Sequence, residues 1–228
     1  MNQDSDPANL PLHIWYLLPD EDNNDGLHTG YVDKPEYIEC DKLLCESLRK
    51  VIMSGRRSVK TLERHVLLQE DPIYFSQRLD FHQRFPFQTG KDKNNREVER
   101  KKWLGAARQS IAICNAVFID PDNGLEINSV PKINQLKSGK YAYFNEISEL
   151  IKGKHACVIY HHLNRHKNHG THAKQIESRV AELRKKVVVD SPSKIFAVSF
   201  RPYSPRAFFI VRPAGRVGRK PYRISYGG

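Results

Sequence analysis

The sequence lacks any cysteine pair with metal-binding spacing. Cys40, Cys45, Cys114 and Cys157 are scattered, with no CxxC among them. That excludes a cysteine zinc site and a disulfide-stapled scaffold, and points to a reducing compartment. Cys114 and Cys157 lie in apolar runs and read as core thiols. No apolar run reaches the roughly 18 residues that a membrane helix needs. Residues 1–11 are polar and acidic, without the basic start and apolar stretch of a signal peptide. The expected setting is therefore cytoplasmic, with no membrane partner. Residues 1–30 contain no Lys or Arg and six acids, whereas residues 194–228 contain no acid and eight Lys or Arg. With a net charge of +11, this asymmetry implies an anionic partner for the C-terminal part. Nucleic acid is the commonest such partner, and a solvated basic face is the plainer alternative.

What is present reads as one α/β domain. Its 228 residues divide into a polar lead at 1–11, a domain at 12–212 and a basic, Gly-rich tail at 213–228. Apolar runs at 12–18, 116–119, 156–160, 195–200 and 207–211 read as strands. Helices are expected at 36–53, 96–112, 144–152 and 171–186, the last capped by Thr171 with Ala173, Ile176, Val180 and Leu183 along one face. Pro72 can open a short helix through Leu79. Residues 58–68 fit strand or helix equally, and 82–95 and 123–139 read as loops. Strands alternating with helices imply a mostly parallel, doubly wound, Rossmann-like sheet with helices on both faces, and a C-terminal antiparallel hairpin.

In such sheets ligands bind beyond the C-terminal strand ends, near the point where strand order reverses. Three strands end in reactive groups. The first runs into Asp20, Glu21, Asp22 and Asp25, the second into Asp120 and Asp122, the third into His161 and His162. Pro121 stiffens the Asp120 corner, and Gly124 permits a positive φ. The expectation is that all three groups face one crevice. The plainer reading is that Asp and Asn only cap the turn. Six of ten histidines fall within 155–172, a tract suited to metal or, beside Arg165 and Lys167, to phosphate.

The segment Phe118-Ile119-Asp120-Pro121-Asp122-Asn123-Gly124-Leu125-Glu126, with Gly139-Lys140-Tyr141 and Val158-Ile159-Tyr160-His161-His162, resembles a family of uncharacterised bacterial proteins. More distantly, the layout is similar to class I S-adenosylmethionine-dependent methyltransferases of the rRNA adenine-N6 type. In those enzymes a strand ends in Asp-Pro-Pro-aromatic, which holds the target base. The resemblance implies that Asp120 and Asn123 hold an amino group, and that S-adenosylmethionine binds near Asp20, Asp25 and Gly26. The Gly-rich turn of those enzymes is absent after the first strand, where Asp20-Glu21-Asp22 stands instead.

Three functions stay open. The first is a nucleic-acid-directed, methyltransferase-like enzyme. The second is a metal-dependent phosphodiesterase holding Mg²⁺ or Mn²⁺ on Asp20, Asp22, Asp120 and Asp122, with His161 or His162 as general base. The third is a non-catalytic binder on an enzyme fold, using Arg201, Tyr203, Arg206, Arg219 and Tyr222. Arg165, Lys167, Arg201, Arg206, Arg219 and Lys220 are the expected nucleic-acid contacts.

Overall fold

The computed structural model describes residues 29–55, 61, 72–154, 156–165, 169–187, 194–200 and 204–212, and the backbone of 12–16. The strands are β1 (Leu12–Tyr16), β2 (Ile73–Phe75), β3 (Ala116–Asp120), β4 (Gly124–Leu125), β5 (Tyr141–Ala142), β6 (Ala156–His162), β7 (Lys194–Phe200) and β8 (Arg206–Arg212). The helices are α1 (Pro35–Cys40), α2 (Lys42–Met53), α3 (Phe81–Arg84), α4 (Gly90–Ser110), α5 (Phe144–Ile151) and α6 (His172–Lys186), with 3-10 turns at Gly30–Asp33 and Leu136–Lys140.

Six strands form one sheet in the order β2-β1-β3-β6-β8-β7. β2, β1, β3 and β6 are parallel, whereas β8 runs antiparallel to both β6 and β7. β4 and β5 form a separate parallel pair. The architecture is thus mixed α/β, with the expected hairpin at one edge.

The core lies on one face of this sheet. Val117 and Ile119 of β3, Cys157 and Ile159 of β6, and Ala207, Phe209 and Val211 of β8 are buried there against α4, α5 and α6. The opposite face carries Phe118, Tyr160 and Phe208, only partly buried and in mutual ring contact. Toward the β7 edge it carries Phe196, Val198 and Phe200, all exposed. The expected doubly wound sheet with helices on both faces is therefore corrected to a mixed sheet that, among the described residues, packs α4, α5 and α6 on one face.

Some local readings change as well. Asp41 is extended (φ −158°, ψ 95°), which splits the expected 36–53 helix into α1 and α2, and its carboxyl caps α2 by accepting from Leu44 N at 2.9 Å. The expected helix after Pro72 is the strand β2 instead, a short edge whose Ile-Tyr-Phe suits a pleated surface. The expected loop at 82–95 contains most of α3 and the first turns of α4. Thr89 caps α4, its hydroxyl accepting from Asp92 N at 3.1 Å. The 123–139 loop contains β4 and most of a 3-10 turn.

The buried stripe of α4 explains why its start escapes an apolar pattern: it consists of Arg96, Arg100, Trp103 and Ala107. Arg100, fully buried, donates to both oxygens of buried Glu146 at 2.5 and 2.8 Å, and to the Ser138 and Tyr141 carbonyls. Its guanidinium also lies over the Tyr143 ring at 4.7 Å. Arg96 donates to the carbonyls of Phe85, Phe87 and Asn134. Two cations thus fasten three irregular segments to one helix, satisfying carbonyls that burial would otherwise leave unpaired. Glu146 also caps α5, accepting from Tyr143 N at 3.3 Å.

Arg100→Met leaves the Glu146 carboxylate buried without its cation. It is expected to cost about 3–5 kcal/mol, read from urea unfolding midpoints. Arg100→Met with Glu146→Met removes both charges and recovers part of that loss.

Candidate functional site

The strand order reverses between β1 and β3. From β1 the chain builds outward to β2 on one side and to β3, then β6, on the other. Tyr16 and Asp120 are paired across this point. β1, β3 and β6 are adjacent and parallel, so their C-terminal ends share one edge of the sheet, where a ligand crevice is expected.

The Asp120 corner is fastened on both flanks. Asn123 N donates to the Lys140 carbonyl at 2.9 Å, and Glu126 N to the Ala142 carbonyl at 2.9 Å. Asp122 is paired with Lys140 Nζ at 3.2 Å, and the Asn123 side chain is hydrogen-bonded to Tyr141. Gly124 adopts φ +100°, a region side chains rarely enter. A Cβ there would fall on Nδ1 and the Cα of His161. Glycine is thus needed twice, for its dihedral and for its lack of bulk.

The expectation of one shared hollow for Asp120 and His161 is corrected by strand alternation. Asp120 shares a face with Phe118, and Ile119 pairs with Ile159, so Asp120 lies beside Tyr160 on the face opposite the core. His161 belongs to the other face, with Cys157 and Ile159. The two side chains occupy separate environments, back to back across the sheet.

On its own face Asp120 makes no hydrogen bond or ion pair with any described residue. Burial raises its carboxyl from 3.8 to about 6, opposed by the nearby Arg206 guanidinium and reinforced by Asp122. Arg206 bonds to the Tyr160 hydroxyl, and its buried Nε has no partner among the described residues. A desolvated carboxyl beside a partly satisfied guanidinium, at the strand end where ligands bind, is a functional candidate by its chemistry.

On the core face His161 is 6% exposed and lies 5.9 Å from the Phe209 ring. Its Nδ1 accepts from Leu125 N at 3.1 Å. That bond leaves the ring proton on Nε2. Burial, followed by the charge of Arg179 and the neighbouring His162, lowers its pKa to about 3, so the ring is neutral at physiological pH.

His161 lines a cleft of about 890 Å³ between the end of β6 and α6. Arg165, Lys174 and Arg179 line it together with His162 and His169. Glu182 is the sole carboxylate among its lining residues, and it is already paired with Arg179 at 2.6 Å. Arg179 also donates to the Glu126 carbonyl at 3.0 Å, tying α6 to the corner. The cleft therefore favours an anion.

Of the other expected site residues, Asp20, Asp22, Asp25, Gly26, Lys167, Arg201, Arg219 and Lys220 lie outside the described residues, as do Tyr203 and Tyr222. Among the described residues, no three His, Cys, Asp or Glu side chains converge closely enough to hold a metal ion. Also among them, no helix is long and apolar enough to cross a membrane. Sequence reasoning missed Tyr160, Lys174 and Arg179. Strand alternation places Tyr160 beside Asp120, whereas the two α6 cations carry no signal beyond their place on a polar helix face.

Two outcomes follow. The raised Asp120 pKa means the folded state holds that proton more tightly than the unfolded chain. The stability from the neutral carboxyl is full below about pH 4 and is lost as pH rises through about 6. Asp120→Asn removes the buried charge. It should stabilise the protein by about 3 kcal/mol at pH 8, from roughly two pKa units at 1.36 kcal/mol each, and by little at pH 4, read from thermal unfolding at both pH values. Gly124→Ala should cost at least about 2 kcal/mol in the same measurement, because the strained dihedral and the His161 clash coincide.

Comparison of the chain with protein-family models, with curated proteins and with solved structures found no match.

Proposed function

We propose that this chain is a nucleic-acid-directed enzyme on a methyltransferase-like fold, with phosphate bound in the basic cleft between β6 and α6 and the strand passing over the C-terminal strand ends to bring the reacting group to the Asp120 corner on the other face. One observation carries the reading. The cleft at the C-terminal end of β6 gathers Arg165 and Lys174, while its one described carboxylate, Glu182, is neutralised by Arg179. A backbone of phosphates complements that charge, and releasing its counterions drives binding.

The position of Asp120 supports the enzymatic half. It ends β3 at the reversal of strand order, it is desolvated, and no described residue occupies its oxygens, which can accept from a ligand amino group. Asn123 fits that role less well, because its amide is engaged by Tyr141. S-adenosylmethionine supplies a methyl group where it is bound, and its expected holders Asp20, Asp25 and Gly26 lie outside the described residues. The chain's own contribution in this reading is to hold phosphate, orient a base and exclude water around Asp120. The Mg²⁺ or Mn²⁺ phosphodiesterase reading draws no support from the described residues, since Asp122 is tied to Lys140 and no third metal donor joins the pair.

The test is fluorescence anisotropy with labelled single-stranded DNA and RNA over a salt series, followed by transfer of a labelled methyl group from S-adenosylmethionine. Two phosphate contacts, through Arg165 and Lys174, should give a log–log salt slope of magnitude about 1.4, at roughly 0.7 per contact on single strands. Arg165→Ala with Lys174→Ala should reduce it by about 1.4. Methyl transfer that disappears in Asp120→Asn supports the full reading. Binding without any transfer leaves only a nucleic-acid binder, and no salt-sensitive binding at all ends the proposal.

A further inference from the structure

We infer that the β6–α6 cleft is a subsite for one unpaired nucleotide, with His161 donating from its floor through Nε2–H to the phosphate. This rests on the reading of the cleft as a phosphate site and deepens it to a ligand class and a recognition residue.

The argument begins with the tautomer. Leu125 N–H occupies Nδ1, so the ring proton resides on Nε2. Nε2 has no hydrogen-bond partner among the described residues, and its ring lines the cleft. Nε2 is not among the buried unpartnered atoms, so this donor keeps contact with solvent and is open to a ligand acceptor. The ring is also held in place. Gly124 packs directly against it, Phe209 lies on its other side, and β6 pairs with β8 through His161 and His162. The donor direction is therefore fixed before any ligand arrives, which lowers the cost of ordering it.

The surroundings select an anion rather than any acceptor. Lys174 sits in the first turn of α6, and Gly170, just before the Thr171 cap, lines the cleft too. The amino end of this 15-residue helix adds its positive dipole end to Lys174 and Arg165. The size of the cleft accommodates a nucleotide. A cleft of about 890 Å³ falls in the range of small-ligand pockets, roughly 300–1,000 Å³. Ser178 on α6 offers a hydroxyl to a base or sugar, whereas Gln175 is held by Asn164 and Gly170 and shapes the wall.

The experiment records histidine ring ¹⁵N–¹H correlations of the full chain while adding adenosine 5′-monophosphate, adenosine, a short single-stranded oligonucleotide and a blunt duplex. The free protein should show His161 in the Nε2–H form. Adenosine 5′-monophosphate and the single strand should shift the His161 Nε2 signal, while adenosine and duplex leave it in place. His161→Gln should weaken binding of the mononucleotide at least fivefold, with the salt slope of oligonucleotide binding unchanged and the circular dichroism spectrum preserved. A His161 proton on Nδ1, or an unmoved His161 signal while oligonucleotides bind, overturns this inference and leaves the broader proposal standing. A duplex that shifts His161 as strongly as the single strand overturns the unpaired-nucleotide claim. A mononucleotide that shifts His161 when no oligonucleotide binds keeps the subsite and ends the nucleic-acid proposal.

Discussion

The contact between Gly124 and His161 is the constraint on which the site depends. Because residue 124 has no side chain, the corner after β3 can turn back across the end of β6 and touch the histidine ring. That approach sets Leu125 N–H onto Nδ1, selects the tautomer, and places β4 where it pairs with β5. The β4–β5 pair in turn holds Asp122 and Asn123 against Lys140 and Tyr141. One absent methyl group thus links the acidic corner, the cleft and the small second sheet.

Arg100 anchors the other side of the same assembly. Its bonds to Glu146 and to the Ser138 and Tyr141 carbonyls hold the 3-10 turn, β5 and the start of α5 on α4. Removing charges from water is expensive, so a pair like this contributes geometry more than net stability. Here the geometry is that of β5, and hence of the corner. The two faces of the sheet then serve different ends. The core face gives His161 a dry, rigid setting beside a wet cleft, and the opposite face gives Asp120 a desolvated setting beside Tyr160 and Arg206.

Much of this was legible in the sequence where one period dominates. Thr171 and the apolar positions after it predict α6 with the cap the structure has, and the runs at 116–119 and 156–160 are β3 and most of β6. The hairpin of β7 and β8 follows from two apolar runs around a Pro-rich turn. Other elements were hidden for physical reasons. The start of α4 buries arginines on its inner stripe, so an apolar count finds nothing there. β2 has three residues, too few to show any period. The position of the Asp120 corner is readable, but its relation to His161 is off by one residue of pleat, while His162 falls on the Asp120 side. Counting from Cys157 and Ile159 puts His161 on the core side, and counting from Phe118 puts Asp120 on the other. The cations of α6 had no such rule to reveal them, since a polar helix face looks alike whether it meets solvent or a cleft.

The placement of β1 has a consequence for how the chain assembles. The strand nearest the N-terminus sits inside the sheet, bonded on one side to β2 and on the other to β3, so Leu12 meets Ala116 across half the polypeptide. Parallel pairings of this separation carry a large loop-closure cost before they return any stabilisation. During synthesis β1 can meet only the three residues of β2 before β3 emerges, and its longer pairing waits for residue 116. The later half, with β6, β7 and β8 joined largely by short connections and α6, is the natural nucleus onto which β3 and then β1 close.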